Sequence, residues 1–187
     1  MVKLVTDFCR QVRARSAENQ AALAMLLQSH LLGIAVGLLR LELDSLIRVA
    51  YLSKQGASSQ ISRSLMEDSV NGDQWTTEKT NGKFRRITDR EMIDLARHLG
   101  GWVNFIYSFG CKLIHLSDIH DYKVSDPFTK LENADRLEIV KYLHDCHQYP
   151  DPDIDQPRFE AYLPKVMQKL VDNVAFYVAE IESANTL

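Results

Sequence analysis

Four ionisable residues interrupt the most apolar stretch of the chain, LLGIAVGLLRLELDSLIRVAYLS at Leu31–Ser53: Arg40, Glu42, Asp44 and Arg48. On a helix, Arg40 and Asp44 are i,i+4 neighbours, as are Asp44 and Arg48, so these three share one ridge. Glu42 falls instead on the stripe of Leu39 and Leu46, near the core. A carboxylate is costly there unless it is hydrogen-bonded or paired. The set reads either as a polar pocket between helices or as structural ion pairs that fix helix register. The Arg40–Asp44–Arg48 ridge also reads as a solvated ladder.

A second group occupies Cys111–Tyr122, CKLIHLSDIHDY. His120 ends an apolar line through Phe109, Leu113 and Leu116, with Ser117 on nearly the same face and Asp121 directly after it. A histidine so placed serves as general base or acid near neutral pH, or simply as a cation at a helix C-terminus. His115 points away from this face. His144 and His147 are i,i+3 neighbours without a third ligand, so no metal site is expected. A third group is the run around Trp75–Arg86, where Lys79, Lys83, Arg85 and Arg86 stand beside Trp75 and Phe84. Cations interleaved with aromatics suit phosphate contact and base stacking, although Glu78 and Asp89 dilute the patch and a solvated hairpin is the plainer alternative. The chain contains no G-x-S-x-G, P-loop or G-x-G-x-x-G pattern, and no cofactor is expected.

Helices must position these groups. Residues 2–15 read as an amphipathic helix, with Leu4, Val5, Phe8 and Val12 on one face and Lys3, Arg10, Arg13 and Arg15 on a solvated basic one. Ser16 or Asn19 caps a new turn, or the helix runs on through AALAMLLQSHLL. Leu31–Ser53 is apolar around most of its circumference and predicts the central helix of a bundle. Its stripes are Leu32, Ala35, Leu39, Leu46 and Val49, and beside them Ile34, Leu38, Leu41 and Ile47. Gly33 and Gly37 would let another helix approach closely. Gly56 ends this helix, and another is predicted over Ser59–Val70.

Strand-like residues follow at Gln74–Ile87, where Asn81-Gly82 suits a two-residue hairpin turn. Thr88-Asp89 caps a helix through Leu99. The seam Trp102, Ile106, Phe109, Leu113, Leu116, His120 predicts another over Trp102–His120. Asp121–Asn133 is a loop, Ala134–His147 a helix through Leu137, Val140 and Leu143, and Tyr149–Pro157 a linker rich in proline and aspartate. The last helix, Arg158–Glu182, holds Pro164 near its first turn or bends there. The fold class is therefore all-α: an up-and-down bundle of about five or six helices with a small β-hairpin or ordered loop near 74–87.

The length of 187 residues suits one domain, and a composition 45% hydrophobic and 25% charged is ordinary for a globular protein. A net charge of −3 gives no global attraction to nucleic acid or membrane, so binding of either needs a local patch. Cys9, Cys111 and Cys146 are an odd number without C-x-x-C spacing, which points to free thiols in a reducing compartment. The N-terminus has no signal-peptide pattern, and Leu31–Leu39 is too short to span a bilayer. The expectation is a cytoplasmic protein that does not enter membranes.

The central RLELDSLIRVAYL helix and the later segment ending LIHLSDIHDY together resemble the HEPN superfamily of small helical bundles. Stretches such as His115–Tyr122 and Asp126–Phe128 also resemble a group of bacterial proteins. The HEPN resemblance implies a homodimer and a role in stress or phage defence. Members are ribonucleases or non-catalytic binders of RNA or nucleotide. The nuclease members carry an arginine, four to six residues, then a histidine; that spacing is absent here, and only His120 matches as the histidine. The leading expectation is a non-catalytic RNA- or nucleotide-binding module, with Glu42, Asp44, Ser117, Asp121, Lys83, Arg85 and Arg86 as contacts. The enzymatic alternative is a divergent metal-independent ribonuclease, with His120 as base and Lys112 or Arg40 stabilising the phosphorane. The third is a homodimeric scaffold without a ligand.

Overall fold

The structure, a computed structural model, describes residues 2–78, 82–96, 103, 106–107 and 121–186. Six α-helices and one two-stranded antiparallel hairpin make up the described residues, an all-α bundle with a small β appendage. None of these helices is long and apolar enough to cross a membrane.

Helix α1 spans Val2–Gln28 without a break. Ser16 and Asn19 do not cap a new turn; both are buried inside the helix. Helix α2, Leu32–Lys54, is the organising element and packs on α1, on the short helices and above all on the last helix. Its stripe Leu32, Ala35, Leu39, Leu46 and Val49 is buried throughout. The second stripe is only partly so: Ile47 is buried, whereas Ile34 and Leu41 are exposed. Nor do the two glycines seat a helix among the described residues. A Cβ on Gly33 would meet the Tyr122 ring at 3.3 Å, and one on Gly37 would meet nothing within 4 Å.

Gly56, at φ +84°, turns the chain after α2, a conformation glycine adopts without strain. Helix α3, Gln60–Asn71, is capped by the Ser59 hydroxyl, which accepts the Ser62 N–H at 3.1 Å. It stops at Gly72, φ +81°. Strands β1, Thr76–Glu78, and β2, Phe84–Arg86, pair with Thr76 opposite Arg86 and Glu78 opposite Phe84. Asn81 of the expected two-residue turn lies outside the described residues. Trp75 and Ile87 are buried and anchor the hairpin base to the bundle, the Ile87 N–H donating to the Trp75 carbonyl at 2.9 Å.

Helix α4, Asp89–Leu95, begins in a capping box made by Thr88 and Glu91. Its expected continuation to Leu99, and nearly all of the predicted helix 102–120, lie outside the described residues. A 3-10 turn, Pro127–Lys130, precedes helix α5, Asn133–His147. In α5 Ile139, Val140 and Leu143 are buried, while Leu137 is exposed. The stretch after α5 is docked against the bundle. Tyr149 and Ile154 are buried, the Tyr149 hydroxyl donates to the Asp153 carbonyl at 2.7 Å, and its ring meets Tyr162 edge-on at 4.8 Å. Asp155 then caps helix α6, Gln156–Ala184, whose Phe159, Leu163, Val166, Leu170, Val174 and Val178 complete the core. Pro164 lies inside α6, beyond its first turn.

Candidate functional site

The polar residues of α2 separate by depth along its seam with α1. Glu42 is fully buried. Its carboxylate accepts from the Ser16 hydroxyl at 2.5 Å and from the Asn19 side-chain amide at 2.8 Å. Ser16 and Asn19 are i,i+3 on α1 and so share the face that meets α2. Both partners of this buried carboxylate are neutral dipoles. The arrangement satisfies its oxygens and joins the two helices at one register.

Asp44, two residues on, faces outward and takes cations instead. The Arg48 Nε lies 3.1 Å from each of its oxygens, and Arg15 Nη1 is 3.2 Å from Oδ2. Each guanidinium has a second anchor. Arg15 Nη2 donates to the Leu41 carbonyl at 3.3 Å, and Arg48 lies over the Trp75 ring at 4.8 Å, a cation–π contact. Trp75 is itself fixed, since its Nε1 donates to the Ser69 hydroxyl at 2.8 Å and its ring sits 6.0 Å from Tyr51.

These residues border a cleft of about 300 Å³ between α1, α2 and the end of α3. From α1 it is lined by Phe8, Val12 and Arg15, and from α2 by Asp44 and Arg48. Gln11, Ser45, Ser69 and Asp73 add polar groups. Arg48 spends only Nε on Asp44; its two Nη groups make no hydrogen bond to a described residue. The remaining carboxylates nearby are acidic neighbours of one another. Desolvation, with Asp73 and Glu67 beside it, pushes the Asp68 carboxyl above its ordinary range.

Arg40 leaves the expected ridge. It is buried, bridges to Asp89 of α4 at 2.5 Å, and lies 4.4 Å over the Tyr107 ring, so it ties α2 to α4. On the hairpin, Arg85 is paired with Glu91 at 2.6 Å. That bond, with the Thr88 backbone N–H, holds the Glu91 carboxyl down to about 2. Arg86, Lys83 and Phe84 are exposed, and Phe84 shares the outer face of β2 with Arg86. Of the two aromatics that the sequence places in this run, only Phe84 is free for stacking, because Trp75 is buried under Arg48.

Asp121 is exposed and opens a turn in which its carbonyl accepts from the Val124 and Ser125 N–H groups. Lys112, Ser117 and His120 lie outside the described residues, as does His115. His144 meets Tyr149 ring to edge at 5.8 Å. No group of three metal-ligating side chains converges among the described residues. The structure thus joins Asp44 and Arg48 of the polar residues of α2 in one cleft and adds Arg15, Ser69 and Asp73. The only sequence signal for Arg15 was its place on a basic helix face that otherwise reads as solvated. No family model, curated protein or solved structure matches the chain.

Proposed function

We propose that the protein is a binding module for a nucleotide, free or as one unit of an RNA, and that the cleft between α1, α2 and the end of α3 receives it. The observation that carries this reading is the pair of guanidiniums, Arg15 from α1 and Arg48 from α2, that converge on Asp44 in a cleft which Phe8 and Val12 also line. Guanidinium Nη edges suit phosphate oxygens, and the half-buried Val12 offers an apolar surface for a base or ribose. The carboxylate of Asp73 and the amide of Gln11 match the donors and acceptors of a base edge. A volume of about 300 Å³ is at the lower end of small-ligand pockets, which favours one nucleotide unit over a folded RNA. With the HEPN-like resemblance, this becomes an accessory role, as a homodimer, in bacterial stress or defence.

Titration calorimetry with ribonucleoside 5′-monophosphates and short single-stranded RNAs at low salt tests the reading. Binding is expected for the wild type. Arg48→Gln should weaken it about tenfold or more, since a hydrogen bond to a charged group contributes about 1.5–3 kcal/mol. Absence of binding by the folded wild type, or full affinity in Arg48→Gln, would overturn it.

A further inference from the structure

We infer that the cleft selects a terminal phosphate, a phosphomonoester, over the phosphodiester of a chain or cyclic nucleotide, and that Asp44 is the residue that sets this preference. The inference rests on the nucleotide-binding reading above. Asp44 stands between Arg15 and Arg48, within 3.1–3.2 Å of both guanidiniums, where the anionic group of a ligand would most naturally sit. It is a monoanion with two oxygens already on the arginines. A phosphodiester brings the same single charge, so exchanging one for the other gains little and leaves Asp44 to be resolvated or repelled. A phosphomonoester brings about −1.5 to −2 charges near neutral pH and a third acceptor oxygen. It can satisfy the free Nη edge of Arg48 while outcompeting, or sharing, the guanidiniums with Asp44.

The two arginines keep their places through this exchange because neither depends on Asp44 alone. Arg48 stays stacked on Trp75, and Arg15 stays on the Leu41 carbonyl. Trp75 is in turn held by Ser69. Asp44 therefore acts as a built-in competitor whose charge raises the threshold an anion must exceed. Asp73, which lines the cleft just beyond the end of α3, adds to the same threshold.

The test compares the four ribonucleoside 5′-monophosphates with their 3′,5′-cyclic counterparts on the full chain at pH 7.5. A trinucleotide with and without a 5′-phosphate distinguishes a free nucleotide from an RNA end. The wild type should prefer the monoester by about tenfold or more, and Asp44→Asn should bind both more tightly and narrow the gap to about threefold or less. Asp44→Glu, which keeps the charge, should retain the preference. Equal wild-type affinity for monoester and cyclic ester would overturn the inference and leave the cleft reading intact, and this needs no variant. Weaker binding by a folded Asp44→Asn would also overturn it, by making Asp44 a support for the arginines. No binding of any nucleotide would remove the cleft reading itself.

Discussion

Glu42 and Asp44 are two residues apart on one helix, and the structure treats them oppositely. Glu42 is sealed between α1 and α2 and held by two neutral donors, Ser16 and Asn19. Asp44 borders the cleft and is held by two cations, Arg15 and Arg48. Two residues turn a helix by about 200°, which is enough to move a side chain from the helix seam to its rim. Depth then decides the partner. In the seam a long, flexible cation would lose its hydration and much of its side-chain entropy, whereas a serine and an asparagine already fixed on α1 supply dipoles at little further cost. At the rim, arginines keep part of their hydration and remain able to change partners. The difference separates a group that sets architecture from a group that can be exchanged for a ligand.

The largest effect that sharpens this contrast is on stability. Glu42→Ala would leave the Ser16 hydroxyl and the Asn19 amide buried without their acceptor and open a cavity. A loss of roughly 2–5 kcal/mol is expected, from about 1–3 kcal/mol for each stranded polar group. Asp44→Ala, in contrast, removes partly exposed ion pairs and should cost less than about 1 kcal/mol. Urea unfolding of both variants beside the wild type checks this. Comparable losses from the two would erase the distinction between seam and rim.

How much of this the sequence could convey depended on distance along the chain. Placing Glu42 on the Leu39–Leu46 stripe was enough to expect its burial, because helical periodicity is a local property. Its partners were not legible, since Ser16 and Asn19 lie more than twenty positions away and equally suited a helix start. The ridge Arg40–Asp44–Arg48 was read correctly at one end and diverted at the other, where Asp89 draws Arg40 across to α4. Spacing says which residues share a side and not what that side meets. For the same reason Ile34 and Leu41 looked like core and are exposed, and Tyr149–Pro157 looked like a linker and is docked by Tyr149 and Ile154. The all-α class, the central helix and the hairpin all came from local signals, namely period, caps and turn residues. The cleft came from three separate segments, and no local pattern encodes it.

A third carboxylate extends the comparison and gives its smallest effect. Glu91 is, like Asp44, partly exposed and paired with an arginine, but it also accepts the Thr88 backbone N–H at the start of α4, at 3.0 Å. Those bonds lower its carboxyl to about 2 in the folded chain, whereas the unfolded chain returns it to the ordinary value of 4.5. A depressed folded value means that the unfolded state binds the proton more readily. The contribution is therefore fully present above about pH 4.5, shrinks as pH falls, and is gone by about pH 2. Glu91→Gln should consequently be slightly less stable than the wild type at pH 7, and the two should converge as the solution is acidified through that window. Thermal unfolding monitored by circular dichroism at several pH values would reveal the convergence. A gap that stayed constant down to pH 2 would mean that Glu91 acts through shape and hydrogen-bond geometry alone. In that case its negative charge, unlike that of Asp44, would have no part in what the residue does.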